Sequence, residues 1–112
     1  MSTRQELVKG TFVPIILSLL RERAMYGYQM VKIVNARTNG RLEWKEGTLY
    51  PALHRMESLG LVRSKWAEAP VAEGSRQRKY YSITRKGVAE LARRRREWTD
   101  FAAAVNAIVL GG

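Results

Sequence analysis

The sequence predicts a mainly α chain with one small β-hairpin and a long last helix. Three observations lead there. Apolar residues recur at helical spacing in three segments of the first half. Two short runs rich in β-forming residues, Leu61 to Trp66 and Arg78 to Ile83, then flank the turn-rich stretch "AEAPVAEGS". After Thr84 the helical period returns and continues to about Val109.

Ser2 or Thr3 is placed to cap the first helix, and Thr3 to Glu6 has the spacing of a capping box. Leu7, Val8, Phe12, Val13, Ile15, Ile16, Leu19 and Leu20 follow. They cover more than one narrow stripe, so this helix should touch two partners. Pro14 predicts either a kink or a start nearer Gly10–Thr11. Arg21 to Met25 reads as a polar connection. Gly27 precedes a second helical pattern with Tyr28, Met30, Val31, Ile33 and Val34, and Asn39-Gly40 stops it. Leu42 and Trp44 alternate with charged residues, as in a loop or a very short strand.

The third helix is "EGTLYPALHRMESLGLV", Glu46 to Val62. Its apolar stripe is Leu49, Leu53, Met56 and Leu59–Gly60, at helical offsets. The opposite side presents Tyr50, Pro51, His54, Arg55 and Ser58. Pro51 is expected in the first turn or so, where a missing N–H costs least. Gly60 ends the helix. The hairpin follows, with a long, mobile tip. Thr84 caps a last helix from about Arg85 to Val109, and Gly111–Gly112 is a frayed end. Three helices, a two-stranded hairpin and a further helix describe a winged helix-turn-helix over residues 1–84 and a C-terminal helix over 85–112.

Charge indicates what such a fold would meet. Twenty Lys plus Arg against ten Asp plus Glu give a net +10 over 112 residues. From Arg76 to Arg96 there are nine basic residues (Arg76, Arg78, Lys79, Arg85, Lys86 and Arg93 to Arg96) and one acid, Glu90. That one-sidedness favours a polyanionic partner over mere solubility. Enzymatic chemistry fits poorly. There is no cysteine, one histidine (His54), no carboxylate cluster, no P-loop and no dinucleotide fingerprint. No cofactor or metal is expected. The N-terminus is polar, and the longest apolar run is about nine residues, Phe12 to Leu20, against the roughly 20 that a membrane span needs. The expected location is cytoplasmic.

In a helix-turn-helix, the recognition helix lies in the DNA major groove with its N-terminal residues toward base edges. The third helix suits that role. Lys45, Thr48, Tyr50, His54 and Arg55 are its expected DNA-binding residues; an ordinary solvated helix face is the plainer reading. In "SRQRKYY", Arg76, Arg78 and Lys79 sit at the base of the hairpin loop. Such a wing can enter the minor groove or lie along the backbone. Tyr80 and Tyr81 point to opposite faces of the strand, and Tyr81 is the one expected in the core.

Tyr26-Gly27-Tyr28, "EGTLYPALHRMESLGLV" and "RKYYSITRKG" follow one another in the order and spacing of a known family. The chain resembles the PadR family of bacterial transcriptional regulators over roughly Gly10 to Leu91. It departs from the family at Gln77, where wings often carry a proline. After Arg93 it is similar to the branch with a single C-terminal helix. The resemblance implies a winged-helix DNA-binding domain, a homodimer, usually repression, and an effector, often a small aromatic or cationic molecule, that relieves DNA binding.

The last helix has its own pattern. Leu91, Arg95, Trp98, Ala102, Val105 and Val109 recur in a heptad-like seam that Phe101 and Ile108 widen. The expectation is a homodimer built on this helix with help from the first, with two-fold symmetry and an inverted-repeat operator. Arg93 to Arg96 read as a solvated surface partly paired with Glu90, Glu97 and Asp100, rather than as DNA contacts. In the multidrug-sensing branch of the family, a tryptophan of the last helix stacks on a flat ligand at the dimer interface. Trp98 of "REWTDF" falls in the corresponding place, with Phe101 and Val13 as further effector-binding residues. Filling the dimer core is the alternative for Trp98. The rival to a sequence-specific regulator is a non-specific nucleic-acid-binding protein, for packaging or for RNA. A protein–protein adaptor is the third reading.

Overall fold

The computed structural model describes residues 10–111. The capping of a helix at Ser2 or Thr3, and the roles of Leu7 and Val8, lie outside the described residues. Helix α1 spans Phe12–Glu22. Pro14 falls in its first turn, where no intrahelical bond is lost, so among the described residues it starts the helix rather than kinking it. Phe12, Ile16, Leu17, Leu19 and Leu20 are buried. They cover more than one face, and α1 packs against three other elements.

Helix α2 spans Gly27–Arg37 and α3 spans Glu46–Ser58. The turn between them closes on Asn39 and Gly40, at φ of 53° and 74°. Asn35 pins it. Its side-chain amide donates to the Trp44 carbonyl and its oxygen accepts from the Trp44 N–H, both at 3.0 Å. Trp44 is thereby held in the core, edge-on to Phe12 at 4.8 Å between ring centroids. The alternating pattern around Leu42 and Trp44 is thus a loop.

Leu49, Leu53 and Met56 form the buried side of α3, as their spacing predicts. Leu59 does not join them; it is exposed, and Leu61 takes the core position instead. The cause is the helix end. Gly60 adopts φ 77°, its N–H bonds to the Glu57 carbonyl, and the Leu61 N–H reaches back to Met56, both at 3.0 Å. This left-handed termination swings Leu61 inward against the last turn. Pro51 lies in the second turn of α3, deeper than the expected first turn, and withholds the N–H that the Gly47 carbonyl would accept.

Strand β1 spans Val62–Glu68 and β2 spans Gln77–Ile83, paired antiparallel with Ser64 opposite Tyr81 and Trp66 opposite Lys79. Tyr81 is fully buried, as expected of the core member of its pair. Met25 adds a bridge on the far side of β2: its N–H donates to the Tyr81 carbonyl at 3.1 Å and its carbonyl accepts at 2.8 Å. The segment read as a polar connection thus ends in a buried pairing.

Helix α4 spans Arg85–Val109. The Thr84 hydroxyl accepts from the Gly87 N–H at 3.0 Å and donates to the Gly60 carbonyl at 2.6 Å, so one residue caps α4 and fastens it to the end of α3. Gly87 is obligatory there: a Cβ would run into the Leu61 carbonyl oxygen. Only Gly87 and Leu91 of α4 are buried. Beyond them the helix leaves the core, and its length of about 37 Å accounts for the molecule's long dimension of 51 Å.

Candidate nucleic-acid interface

The outer face of α3 and the hairpin carry the residues expected to meet DNA, and Glu57 of α3 contacts the hairpin. Lys45, Glu46, Thr48, Pro51, His54, Arg55 and Ser58 are all exposed on α3 or its cap. Neither His54 nor Arg55 has an ion-pair partner among the described residues. The Thr48 hydroxyl turns back to the Lys45 carbonyl at 3.0 Å, yet keeps its acceptor capacity toward solvent.

Tyr50 is placed differently from its neighbours. It is half-buried in the seam between α2 and α3, with its hydroxyl over Gly27. A Cβ on Gly27 would sit 2.6 Å from that oxygen, so a glycine at the start of α2 is what lets α3 approach. Burial pushes the Tyr50 phenol up, and the carboxylate of Glu46 adds to this while Arg78 opposes it.

The basic residues of the wing divide into two kinds. Arg76 is exposed, with no ion pair among the described residues. Arg78 is drawn inward, its guanidinium 5.3 Å from the centre of the Tyr26 ring. Lys79 approaches Glu57 of α3 at 4.0 Å and lies 5.9 Å over the Tyr81 ring. Glu57 also accepts from the Ser64 hydroxyl at 2.7 Å, so it ties α3 to both strands. Of the expected DNA-binding residues, Lys45, Thr48, His54, Arg55 and Arg76 are exposed, while Tyr50, Arg78 and Lys79 are partly buried against their neighbours.

The hairpin tip, expected from "AEAPVAEGS" to be long and mobile, carries a short turn of its own and contacts the start of α2. Pro70 leads into a short 3₁₀ turn, Val71–Glu73, and Gly74 at φ 100° reverses the chain. The Tyr26 hydroxyl then donates to Glu73 at 2.6 Å. Burial first, and this bond second, push the Tyr26 phenol up to about 12. The same bond holds the Glu73 carboxyl below its ordinary range.

Four exposed side chains here were not among the expected DNA-binding residues. Glu46 places a carboxylate at the start of the α3 face, where it can accept from a cytosine amino group. Trp66 is 66% exposed beside Lys79. Arg63 and Lys65 stand out from the edge strand β1. Strand alternation carried the signal for Arg63 and Lys65, whereas Trp66 shares the parity of Val62 and Ser64 and stands exposed nonetheless.

On α4, Arg93 pairs with Glu90 and Glu97, and Arg94 with Glu90, as a solvated surface requires. Trp98 and Phe101 are 60% and 64% exposed, and Val105, Ile108 and Val109 are exposed too. Val13 instead packs half-buried on the core. Within one chain, Val13 therefore shares no enclosed site with Trp98 and Phe101. Among the described residues no cluster of three metal-ligating side chains occurs. None of their helices is long and apolar enough to cross a membrane.

A helical core with a hairpin wing, and a third helix whose outer face exposes hydrogen-bonding groups beside Arg55, is the architecture of a winged-helix DNA-binding regulator. Residues 16–93 match the Transcriptional regulator PadR-like family, and the chain belongs to it. It is similar to a transcriptional regulator from Clostridium thermocellum, 32% identical, with 97% of this chain and 98% of that one covered at a TM-score of 0.82. A PadR family transcriptional regulator from Eggerthella lenta is 36% identical, with 93% and 86% covered at 0.78. A PadR-like transcriptional regulator from Bacillus cereus is 28% identical, with 96% and 99% covered at 0.81. An uncharacterized protein of Lysinibacillus sphaericus is 34% identical over 97 residues, 87% of this chain and 86% of that one. The chain is thus a DNA-binding transcriptional regulator rather than an enzyme.

Proposed function

We propose that this regulator recognises a specific inverted-repeat operator as a homodimer and represses from it. It reads bases through Thr48, His54 and Arg55 of α3, with Lys45 and Arg76 on phosphates and Arg78 and Lys79 flanking them. The observation that carries this reading is the outer face of α3: hydrogen-bonding and cationic groups stand exposed on it, next to a wing that carries Arg76. Such a face offers both phosphate and base-edge contacts, and only the second kind specifies sequence. The dimer is supported by α4, where Trp98, Phe101, Ile108 and Val109 stand exposed along one long helix. A small aromatic or cationic effector would lie against Trp98 and Phe101 of two subunits, with Val13 at its edge, and would lower the affinity for DNA.

Competition binding tests the reading. The purified protein is mixed with the duplex upstream of its own gene at about 0.15 M salt, against excess random DNA. Retention through about a 10³-fold excess of competitor supports a specific regulator. If a duplex selected from a random pool also competes no better than random DNA, sequence-specific recognition is wrong and a general polyanion-binding role takes its place.

A further inference from the structure

A carboxylate on the DNA-facing wing of a chain with net charge +10 calls for a reason. Glu73 lies at the hairpin tip, where a negative charge repels phosphates. Its Oε1 accepts from the Tyr26 hydroxyl at 2.6 Å and from the Gln29 amide at 3.1 Å, and its Oε2 accepts more weakly from the same amide at 3.5 Å. Both donors are buried, Tyr26 at 2% exposure and Gln29 at 9%. The Gln29 oxygen accepts from the Tyr26 backbone N–H at 3.1 Å, which fixes the amide's orientation. The Tyr26 ring is gripped from the hairpin side as well, by Arg78 and by the edge of Tyr80, each 5.3 Å away. The wing tip is therefore seated on the first turn of α2, the turn whose Gly27 also lies under Tyr50 of α3.

Arg76 follows three residues after Glu73. Gly74 and Ser75, at φ of 100° and 45°, turn the chain between them, and the Arg76 carbonyl accepts from the Ala69 N–H at 2.8 Å. Little freedom is left between latch and arginine. We propose that Glu73 is a positioning residue for DNA binding: it latches the wing to α2 and so holds Arg76 at a fixed place beside the exposed face of α3. This rests on the DNA-binding reading above.

Two substitutions in the full chain separate geometry from charge. Glu73→Gln and Glu73→Ala remove the same negative charge, which by itself strengthens binding to DNA. Glu73→Gln keeps an oxygen that both donors can reach, whereas Glu73→Ala keeps none. The probe is the duplex that the wild-type protein selects from a random pool. Glu73→Gln is expected to bind at least as tightly as wild type. Glu73→Ala is expected to bind about tenfold more weakly, as for one lost charge-assisted contact. Its salt dependence should be shallower by about one unit of slope. Amide exchange at residues 69–76 should quicken in Glu73→Ala alone, with unchanged helical circular dichroism. Adding Arg76→Ala to Glu73→Ala should cost nothing further.

Equal affinities for the two variants, or tip exchange unaltered in Glu73→Ala, overturn the proposal. So does a further loss on adding Arg76→Ala as large as in the wild-type background. A wild-type protein that binds no duplex sinks the DNA-binding reading itself, and failure of the latch alone leaves wild-type binding intact.

Discussion

Arg55 and Lys79 carry the same charge in different surroundings, and this separates their expected roles. Arg55 stands exposed on the face of α3 with no ion-pair partner among the described residues. Lys79 shares Glu57 and must leave it to reach a phosphate. Replacing Arg55 by alanine is expected to cost about 1–3 kcal/mol at the operator and to relax preference at one base position. Lys79→Ala should weaken binding to all sequences alike and reduce the salt slope by less than the full unit of a free lysine, because part of its charge is already spent on Glu57. Titrations of operator and random duplex at several salt concentrations measure both. An unchanged specific-to-random ratio for Arg55→Ala would remove that residue from base reading. Tyr50→Ala belongs to a different class: it opens a void between α2 and α3, so its loss of stability should accompany any loss of DNA binding.

At the scale of elements, helix ends carry much of the architecture. Thr84, Gly60 and Gly87 join α3, β1 and α4 within a few ångströms. Gly87→Ala forces its new methyl against a backbone carbonyl that cannot turn aside, and a loss of about 2 kcal/mol is expected from urea denaturation midpoints. The first turns of α4 offer a pH test. Hydrogen bonds from Arg93 and then Arg94 hold the Glu90 carboxyl down to about 2. Its folded value lies below the unfolded one of about 4.3. The contribution is therefore complete above that value and is lost as pH falls toward about 2. Glu90→Gln should lower the melting temperature slightly at pH 7, and the difference from wild type should shrink steadily between about pH 5 and 2. A pH-independent difference would mean that packing, not the ion pairs, sets the effect.

These elements also mark what was legible in the sequence. The α3 stripe and the hairpin could be read because period and turn chemistry are local. The Leu59 position could not, because the left-handed Gly60 resets the phase of the stripe. The burial of Met25, the Asn35 bracket on Trp44 and the Glu73 latch all join residues far apart in the chain or outside any period. Of the interface, residue types on α3 were legible; the inward turn of Tyr50, Arg78 and Lys79 follows from tertiary neighbours that no spacing displays.

For the whole molecule, the decisive feature is a 25-residue last helix whose buried residues, Gly87 and Leu91, lie in its first two turns. Large apolar side chains then continue outward to Ile108 and Val109, exposed among the described residues. Burying such a surface is favourable by about 25 cal/mol for each Å² of apolar area, and in the proposed homodimer a second copy of the same helix would supply the matching seam with closed two-fold symmetry. Phe101→Glu places a charge in the middle of that seam without touching the α1–α3 core. The expected result is a monomer in sedimentation equilibrium at concentrations where wild type is dimeric, with the same circular dichroism per residue. Operator affinity should fall far more than random-duplex affinity, because two half-sites then bind independently and the linked gain of a bivalent contact disappears. If Phe101→Glu remains dimeric, α4 is not the seam. If it is monomeric yet binds the operator as tightly as wild type, one subunit suffices for recognition and the inverted-repeat reading fails.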